Sequence, residues 1–247
     1  MSFKDHFSSL ASAYADYRPH YPEALFAWLA QQCSGHALAW DCGTGNGQAA
    51  QGLAPHFQSV IATDASAEQI AAASGPANVQ FAVAPAEHSG LASASVDLLL
   101  VAQAVHWFDL DAFYAEARRV LRPGGLIALL TYSSHSVNPE VDLPSGEYYL
   151  HTVGPYWPPE RKWVENGYRD LPFPFTELQC PAFMLTAEWD LRQFLGYQAT
   201  WSASKRYRDA TGIDPIPALA AALAPVWGSP ELRRTVRWPL ALRLGHV

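Results

Sequence analysis

Apolar residues in the first half of the chain alternate between short runs and stretches with helical spacing. The short runs predict buried strands over 36–41, 59–63, 79–84, 96–102 and 126–131. The helical stretches predict a helix that begins near Pro22, one over 48–54 and one that follows Asp109 as its N-cap and ends at the Arg122-Pro123-Gly124-Gly125 turn. This alternation indicates an α/β, doubly wound fold with a mostly parallel, seven-stranded sheet.

The pattern changes after Ser133. Residues 133–175 are rich in proline and aromatic side chains, and a stretch of this length predicts a lid or insertion after strand 5, although an oligomer contact is an open alternative. Strand-like alternation returns over 177–189, and helical spacing follows over 191–207 and 216–227. Residues 235–244 predict a last strand, which we expect to be antiparallel because no crossover helix directly precedes it.

Composition narrows the class of function. The chain has 247 residues, 49% of them hydrophobic, and a net charge of −7, which excludes a disordered chain and disfavours nucleic-acid binding. Its apolar runs are too short to cross a bilayer, and no hydrophobic leader is visible near Met1. The three cysteines lack metal-ligand spacing. We therefore expect a cytoplasmic protein with a small-molecule ligand, no metal site, no nucleic-acid partner and no membrane partner.

The strongest local signal is a glycine-rich turn after the first strand. Gly43, Gly45 and Gly47 alternate with Thr44 and Asn46, and such glycines let a ligand approach the backbone closely. The alternative is a tight turn without a ligand.

An acidic residue ends the next strand, where doubly wound sheets place the side chain that binds ribose hydroxyls. Asp64 follows Gly43 by 21 positions, which favours a nucleoside-containing cofactor. A dinucleotide fingerprint needs a sixth-position glycine, and Gln48 stands there instead. A nicotinamide-dependent oxidoreductase is thus the second choice.

These motifs resemble those of the class I S-adenosylmethionine-dependent methyltransferases, in which an acidic residue precedes a G-x-G-x-G turn. Here Asp41 precedes the turn, and the likeness continues through Asp64, the Ala86-Glu87 pair and the 120–125 segment. More narrowly, the 14–22, 104–109 and 196–203 stretches resemble the type 11 group, which includes trans-aconitate methyltransferase-like proteins.

The resemblance implies S-adenosylmethionine as cofactor. Residues 1–132 would form the cofactor-binding half, with a cover segment at 1–22, and residues 176–247 would complete the same sheet. Pro85 replaces the polar residue with which many relatives bind the adenine amino group, so adenine recognition would rest on the backbone near Ala86 and on Glu87. The implied cofactor-binding residues are Asp41, Gly43, Thr44, Gly45, Asn46, Gly47, Asp64, Ala86, Glu87, Gln103, Tyr14 and Arg18.

The methyl acceptor would lie near the end of the fourth strand. His106 is the candidate general base, with an ordinary pKa suited to proton abstraction near neutrality, or else a residue that only hydrogen-bonds the fold. Trp107 and Tyr132 are candidate pocket residues, and packing under the lid is the alternative for Trp107. Arg18 could bind a carboxylate bidentately.

We expect methyl transfer to a small-molecule acceptor by in-line displacement, to an oxygen and in particular to a carboxylate. Correct alignment of the reacting atoms is worth roughly 7–11 kcal/mol, so the reaction does not require a general base. A non-catalytic module that binds S-adenosylmethionine is a further alternative. The sequence leaves the oligomeric state open.

Overall fold

A computed structural model describes residues 18–247, so Tyr14 and most of the predicted cover segment lie outside the described residues. The first strands and helices alternate as the sequence predicts. The strands are β1 (Leu38–Cys42), β2 (Ser59–Asp64), β3 (Val79–Val83), β4 (Val96–Ala102) and β5 (Leu121–Thr131). The helices are α1 (Glu23–Gln32), α2 (Gln48–Leu53), α3 (Ala67–Ala72) and α4 (Leu110–Val120).

The second half adds helices and three antiparallel strands. The helices are α5 (Pro139–Glu147), α6 (Arg161–Glu165), α7 (Leu191–Ala199), α8 (Ser202–Thr211) and α9 (Ile216–Trp227). The strands are β6 (Thr176–Leu178), β7 (Phe183–Trp189) and β8 (Arg234–His246). Among residues 18–247, every helix is too short or too polar to span a bilayer.

The sheet has the order β3-β2-β1-β4-β5-β8-β6, and β7 pairs separately with β8. Strands β1 to β5 are parallel, whereas β8 is antiparallel to β5. The predicted doubly wound fold with an antiparallel C-terminal strand is therefore confirmed, with eight strands rather than seven. The strand order reverses between β1 and β4, and ligands of such sheets bind in the crevice at the carboxyl ends of the strands at this switch point.

Three predicted boundaries of strands and helices were wrong. The 122–125 turn bulges out within β5, because Leu121 pairs with Val96 and Leu126 with Leu98. The strand-like stretch predicted over 177–189 forms two separate strands, β6 and β7. The 191–207 helical stretch divides into α7 and α8, because Trp201 is extended (φ −68°, ψ 139°) and begins a new helix.

Apolar side chains pack into three clusters. One lies between α1, α2 and the sheet, and a second packs α4 and part of the 133–175 segment on other sheet side chains. The third is rich in aromatic rings and joins the 133–175 segment to α7, α9 and β8. Segment 133–175 therefore has a core in common with the C-terminal elements, which fixes its position beside the end of β5.

Candidate active site

The glycine turn between β1 and α2 is shaped by left-handed backbone. Gly43, Gly45 and Gly47 have φ values of 73°, 56° and 92°. A Cβ at Gly43 would lie 2.5 Å from the Ala104 Cβ, and one at Gly47 would lie 2.8 Å from the Phe81 ring. At Gly45 the nearest atom would be 3.8 Å away, so the structure leaves space beside Gly45 for a ligand.

Asp64 connects the end of β2 to this turn. One carboxylate oxygen accepts the Gly45 N–H at 2.9 Å, and the other accepts the Ser66 N–H at 2.9 Å. A carboxylate has about four acceptor positions, so Asp64 can hold the turn and still accept hydrogen bonds from ribose hydroxyls. The open side of Gly45 and the Asp64 carboxylate therefore fit an adenosyl cofactor at the switch point.

Asp41 supports the same turn from inside. Its side chain is fully buried and accepts a hydrogen bond from the Thr44 hydroxyl. Burial raises the pKa of Asp41 to about 7, and the hydrogen bonds from Thr44 and the Ala50 backbone only partly offset this effect. Asp41 thus orders the turn from the protein interior.

The two residues predicted to recognise adenine, Ala86 and Glu87, have structural contacts within the protein. Ala86 is buried against the second cluster, and the Glu87 carboxylate accepts the Asp109 N–H at 2.9 Å. Glu87 therefore joins the loop after β3 to the start of α4.

A cavity of about 70 Å³ lies at the end of β4, next to the switch point. A cavity needs only about 10–15 Å³ to hold one water, so this cavity has room for several waters or a small organic group. Its walls come from the segment after β4, from segment 133–175 and from the start of α8. The lining residues are Arg18, Gln103, His106, Trp107, Tyr132, Ser133, Trp157, Pro158, Arg161, Val164, Tyr197, Trp201 and Ser202.

Two guanidinium groups give the cavity its charge. Arg161 stacks over the Trp157 ring at 4.4 Å, and its Nε donates to the Tyr149 hydroxyl at 2.9 Å. Arg18 lies over the Tyr197 ring at 5.4 Å. The lining residues include no aspartate or glutamate, and among residues 18–247 no carboxylate forms an ion pair with Arg161.

His106 lies in the cavity wall, on a short 3₁₀ turn after β4. Its Nδ1 is 2.7 Å from the Tyr168 hydroxyl, and its ring packs on Trp107 at a centroid distance of 4.7 Å. Burial, and secondarily the positive charge of Arg161, lowers the pKa of His106 to about 3. The expectation of an ordinary pKa near neutrality was therefore wrong.

Comparisons with known proteins agree with this geometry. A family model described as a methyltransferase domain matches residues 40–129. A Dictyostelium discoideum protein whose name provisionally assigns it as a methyltransferase is 33% identical over 90% of this chain and 86% of its own length. The chain belongs to the methyltransferase family.

Solved structures place this methyltransferase in the class I fold. An Anaeromyxobacter dehalogenans protein, provisionally named a type II methyltransferase, is 49% identical, with a TM-score of 0.88 over 93% of this chain and 98% of the other. The YcgJ protein of Bacillus subtilis has a TM-score of 0.53 at 16% identity, over 91% and 98% of the two chains, and shows the fold alone. The predicted S-adenosylmethionine-dependent enzyme class is confirmed, whereas the trans-aconitate subtype is not shown.

Apart from Ala86, Glu87 and the undescribed Tyr14, the predicted site residues of this methyltransferase fall into two groups. One group comprises the glycine turn at 43–47 and the two acids that bind it, Asp41 and Asp64. The other group lines the cavity and comprises Arg18, Gln103, His106, Trp107 and Tyr132. The Gln103 amide donates to the Tyr132 carbonyl at 2.8 Å, so it is engaged within the protein.

Several residues of the cavity wall were not predicted as such from the sequence, among them Arg161, Trp157, Tyr197 and Trp201. The Trp157-Pro158-Pro159-Glu160-Arg161 run, a cation among prolines and aromatic residues, is the signal that could have found the first two.

Proposed function

We propose that this methyltransferase transfers a methyl group from S-adenosylmethionine to a carboxylate oxygen of a small molecule. The observation that carries this proposal is a cavity at the switch point with two guanidinium groups and no acidic residue in its wall. Arg161 is half-buried and forms no ion pair with a carboxylate among residues 18–247, which favours a ligand that brings a negative charge.

The cofactor is proposed to bind along the glycine turn. Gly45 offers backbone with open space beside it, and Asp64 offers acceptor positions for the ribose hydroxyls. The bound cofactor supplies a methyl group on a sulfonium, which departs as a neutral thioether. The remaining task of the protein is to align the acceptor oxygen with that methyl group.

The low pKa of His106 also favours a carboxylate acceptor. A side chain with a pKa of about 3 is a weak base toward an alcohol or an ammonium group near neutral pH. A carboxylate is already ionised at that pH and needs no proton removed. His106 is accordingly proposed as a residue that contacts the acceptor and not as the general base.

Segment 133–175 is proposed to act as the lid. It contributes Trp157 and Arg161 to the cavity, so it can exclude water and hold the acceptor at the same time.

We also propose a cytoplasmic location, which the three free cysteines Cys33, Cys42 and Cys180 support.

The test is release of S-adenosylhomocysteine from S-adenosylmethionine with a panel of small carboxylic acids that includes trans-aconitate. Each acid is paired with its neutral amide as a matched control. We expect release with at least one acid and none with its amide. If no acid is methylated while calorimetry shows tight cofactor binding, the carboxylate proposal is wrong and a non-catalytic module is favoured.

A further inference from the structure

A tyrosine hydroxyl stands between two opposite charges on α6. Arg161 begins this helix and Glu165 ends it, and opposite charges at this spacing commonly pair directly. Among residues 18–247, however, no ion pair joins them. Instead, Arg161 Nε donates to the Tyr149 hydroxyl at 2.9 Å, and that hydroxyl donates to Glu165 Oε1 at 2.5 Å. The guanidinium is thus anchored to the carboxylate through Tyr149.

The direction of both hydrogen bonds is fixed by the groups that make them. A guanidinium N–H can only donate, and a carboxylate can only accept. Burial raises the pKa of Tyr149 to about 12, so near neutral pH its hydroxyl keeps the proton that it donates to Glu165. The order Arg161, Tyr149, Glu165 therefore depends on no choice of tautomer or amide orientation.

Aromatic rings restrict the same guanidinium from its flat side. The Arg161 Cζ lies 4.4 Å from the centre of the Trp157 ring and 5.5 Å from the centre of the Tyr149 ring. These two rings pack on each other at 5.2 Å, and each packs on Trp201 at 5.6 Å. Trp157 and Trp201 also line the cavity. Ring packing and the bond to Tyr149 together hold the guanidinium beside the cavity.

The other donors of Arg161 are left for a ligand. Its side chain lines the cavity, and among residues 18–247 it makes its one hydrogen bond through Nε, so that Nη1 and Nη2 donate to no other side chain or backbone group. Because Nε is already used, a bidentate carboxylate would bind with one oxygen on Nη1 and the other on Nη2.

We propose that Tyr149 and Glu165 are positioning residues, which hold the Arg161 guanidinium so that Nη1 and Nη2 bind the carboxylate of the methyl acceptor. This inference rests on the proposed function, from which the carboxylate acceptor is taken. An arginine side chain has many rotamers, and a ligand that must fix them binds less tightly. A guanidinium that the protein fixes beforehand avoids this cost.

The first measurement follows the Arg161 Nε–H by ¹H–¹⁵N NMR of the full-length protein, without cofactor or acceptor. Arg161→Gln assigns the signal. Tyr149→Phe should speed up exchange of this proton with water about 10-fold, because the bond that protects it is lost. The matched control is Tyr156→Phe in the same segment, whose ring packs on Tyr207 at 5.1 Å, and it should leave the rate unchanged. Equal rates in the wild type and folded Tyr149→Phe would overturn the positioning role.

Two variants of Glu165 separate its hydrogen bond from its charge. In Glu165→Gln the side-chain oxygen still accepts from the Tyr149 hydroxyl, so the Arg161 Nε–H should exchange at nearly the wild-type rate. Glu165→Ala removes the acceptor, and its rate should lie between those of the wild type and Tyr149→Phe. A wild-type rate in Glu165→Ala would show that Glu165 does not position the guanidinium.

Steady-state kinetics with an acid from the methylated panel tests the consequence for the acceptor. Tyr149→Phe should raise the KM for the acid about 10-fold, with kcat and the cofactor Kd near their wild-type values, whereas Tyr156→Phe should leave the KM unchanged. Faster Nε–H exchange with an unaltered KM would overturn the role in acceptor binding. If every acid fails as a substrate, the carboxylate acceptor is wrong, and the NMR result still decides whether Tyr149 positions Arg161, because it needs no acceptor.

Discussion

The carboxylate of Asp64 accepts the backbone N–H of Gly45 at 2.9 Å, across the crevice where β1 and β2 end. This bond couples Asp64, the proposed ribose-binding acid, to the glycine turn, so the two motifs found in the sequence act as one structural unit. A change at Asp64 should therefore affect cofactor binding through the lost acceptor and also through the order of the turn.

Asp64→Ala should weaken S-adenosylmethionine binding by about 1.5–3 kcal/mol, the usual contribution of hydrogen bonds to a charged group. Isothermal titration calorimetry measures the change. The matched control is Asp209→Ala, because Asp209 is an exposed acid near the end of α8. Equal affinity in the wild type and Asp64→Ala would show that the ribose binds elsewhere.

Arg161→Gln should raise the KM for a carboxylate acceptor by about 10–100-fold, the equivalent of one charge-assisted interaction. Cofactor affinity should change little, because Arg161 lies in the cavity wall contributed by segment 133–175 and not at the glycine turn. Steady-state kinetics with an acid from the methylated panel gives the KM. Arg169→Gln, an exposed change in the same segment, should leave it unaltered, and a similar KM in both variants would remove Arg161 from acceptor binding.

The sheet and the glycine turn could be predicted because their signals are local. Strand β4 matches its predicted bounds of 96–102, and Asp109 caps α4 by accepting the Ala112 N–H, both as the sequence indicates. The 122–125 bulge could not be predicted, since its geometry depends on which residues of β4 pair with β5.

The lining of the proposed acceptor cavity could be predicted only in part. Gln103, His106 and Trp107 follow a strand end, where the parallel sheet brings functional residues together. Arg161 and Tyr168 reach the same place only because segment 133–175 packs back on the sheet and α7. The low pKa of His106 is a consequence of that packing, so the residue type alone could not indicate it.

Gly43→Ala should destabilise the protein by about 2–4 kcal/mol, because left-handed backbone is unfavourable for alanine and the new Cβ would lie 2.5 Å from the Ala104 Cβ. Urea unfolding followed by circular dichroism measures the change. Gly124→Ala separates the two causes, since Gly124 has a φ of 76° but no atom within 4 Å of a Cβ. It should cost only about 1 kcal/mol. Equal losses in the two variants would mean that close packing at Gly43 contributes nothing.

His135 should make the stability of the protein depend on pH. Its ring is enclosed by Phe194, Tyr197, Trp201 and Trp238, and burial lowers its pKa to about 4 from an ordinary value of 6.5. The unfolded chain therefore binds a proton that the folded protein excludes between these pH values. The stabilisation is complete above pH 6.5 and is lost as the pH falls toward 4, by about 3 kcal/mol for this residue.

His135→Gln isolates this effect, because glutamine keeps a polar group near the Ser145 hydroxyl, which lies 3.0 Å from His135 Nε2, but does not titrate. Urea unfolding at several pH values from 7 to 4 should show a shallower loss of stability in the variant than in the wild type. The buried His106 contributes a loss of the same sign in both proteins, so the difference between the two slopes belongs to His135. Parallel slopes would show that the His135 ring accepts a proton in the folded state as easily as in the unfolded chain.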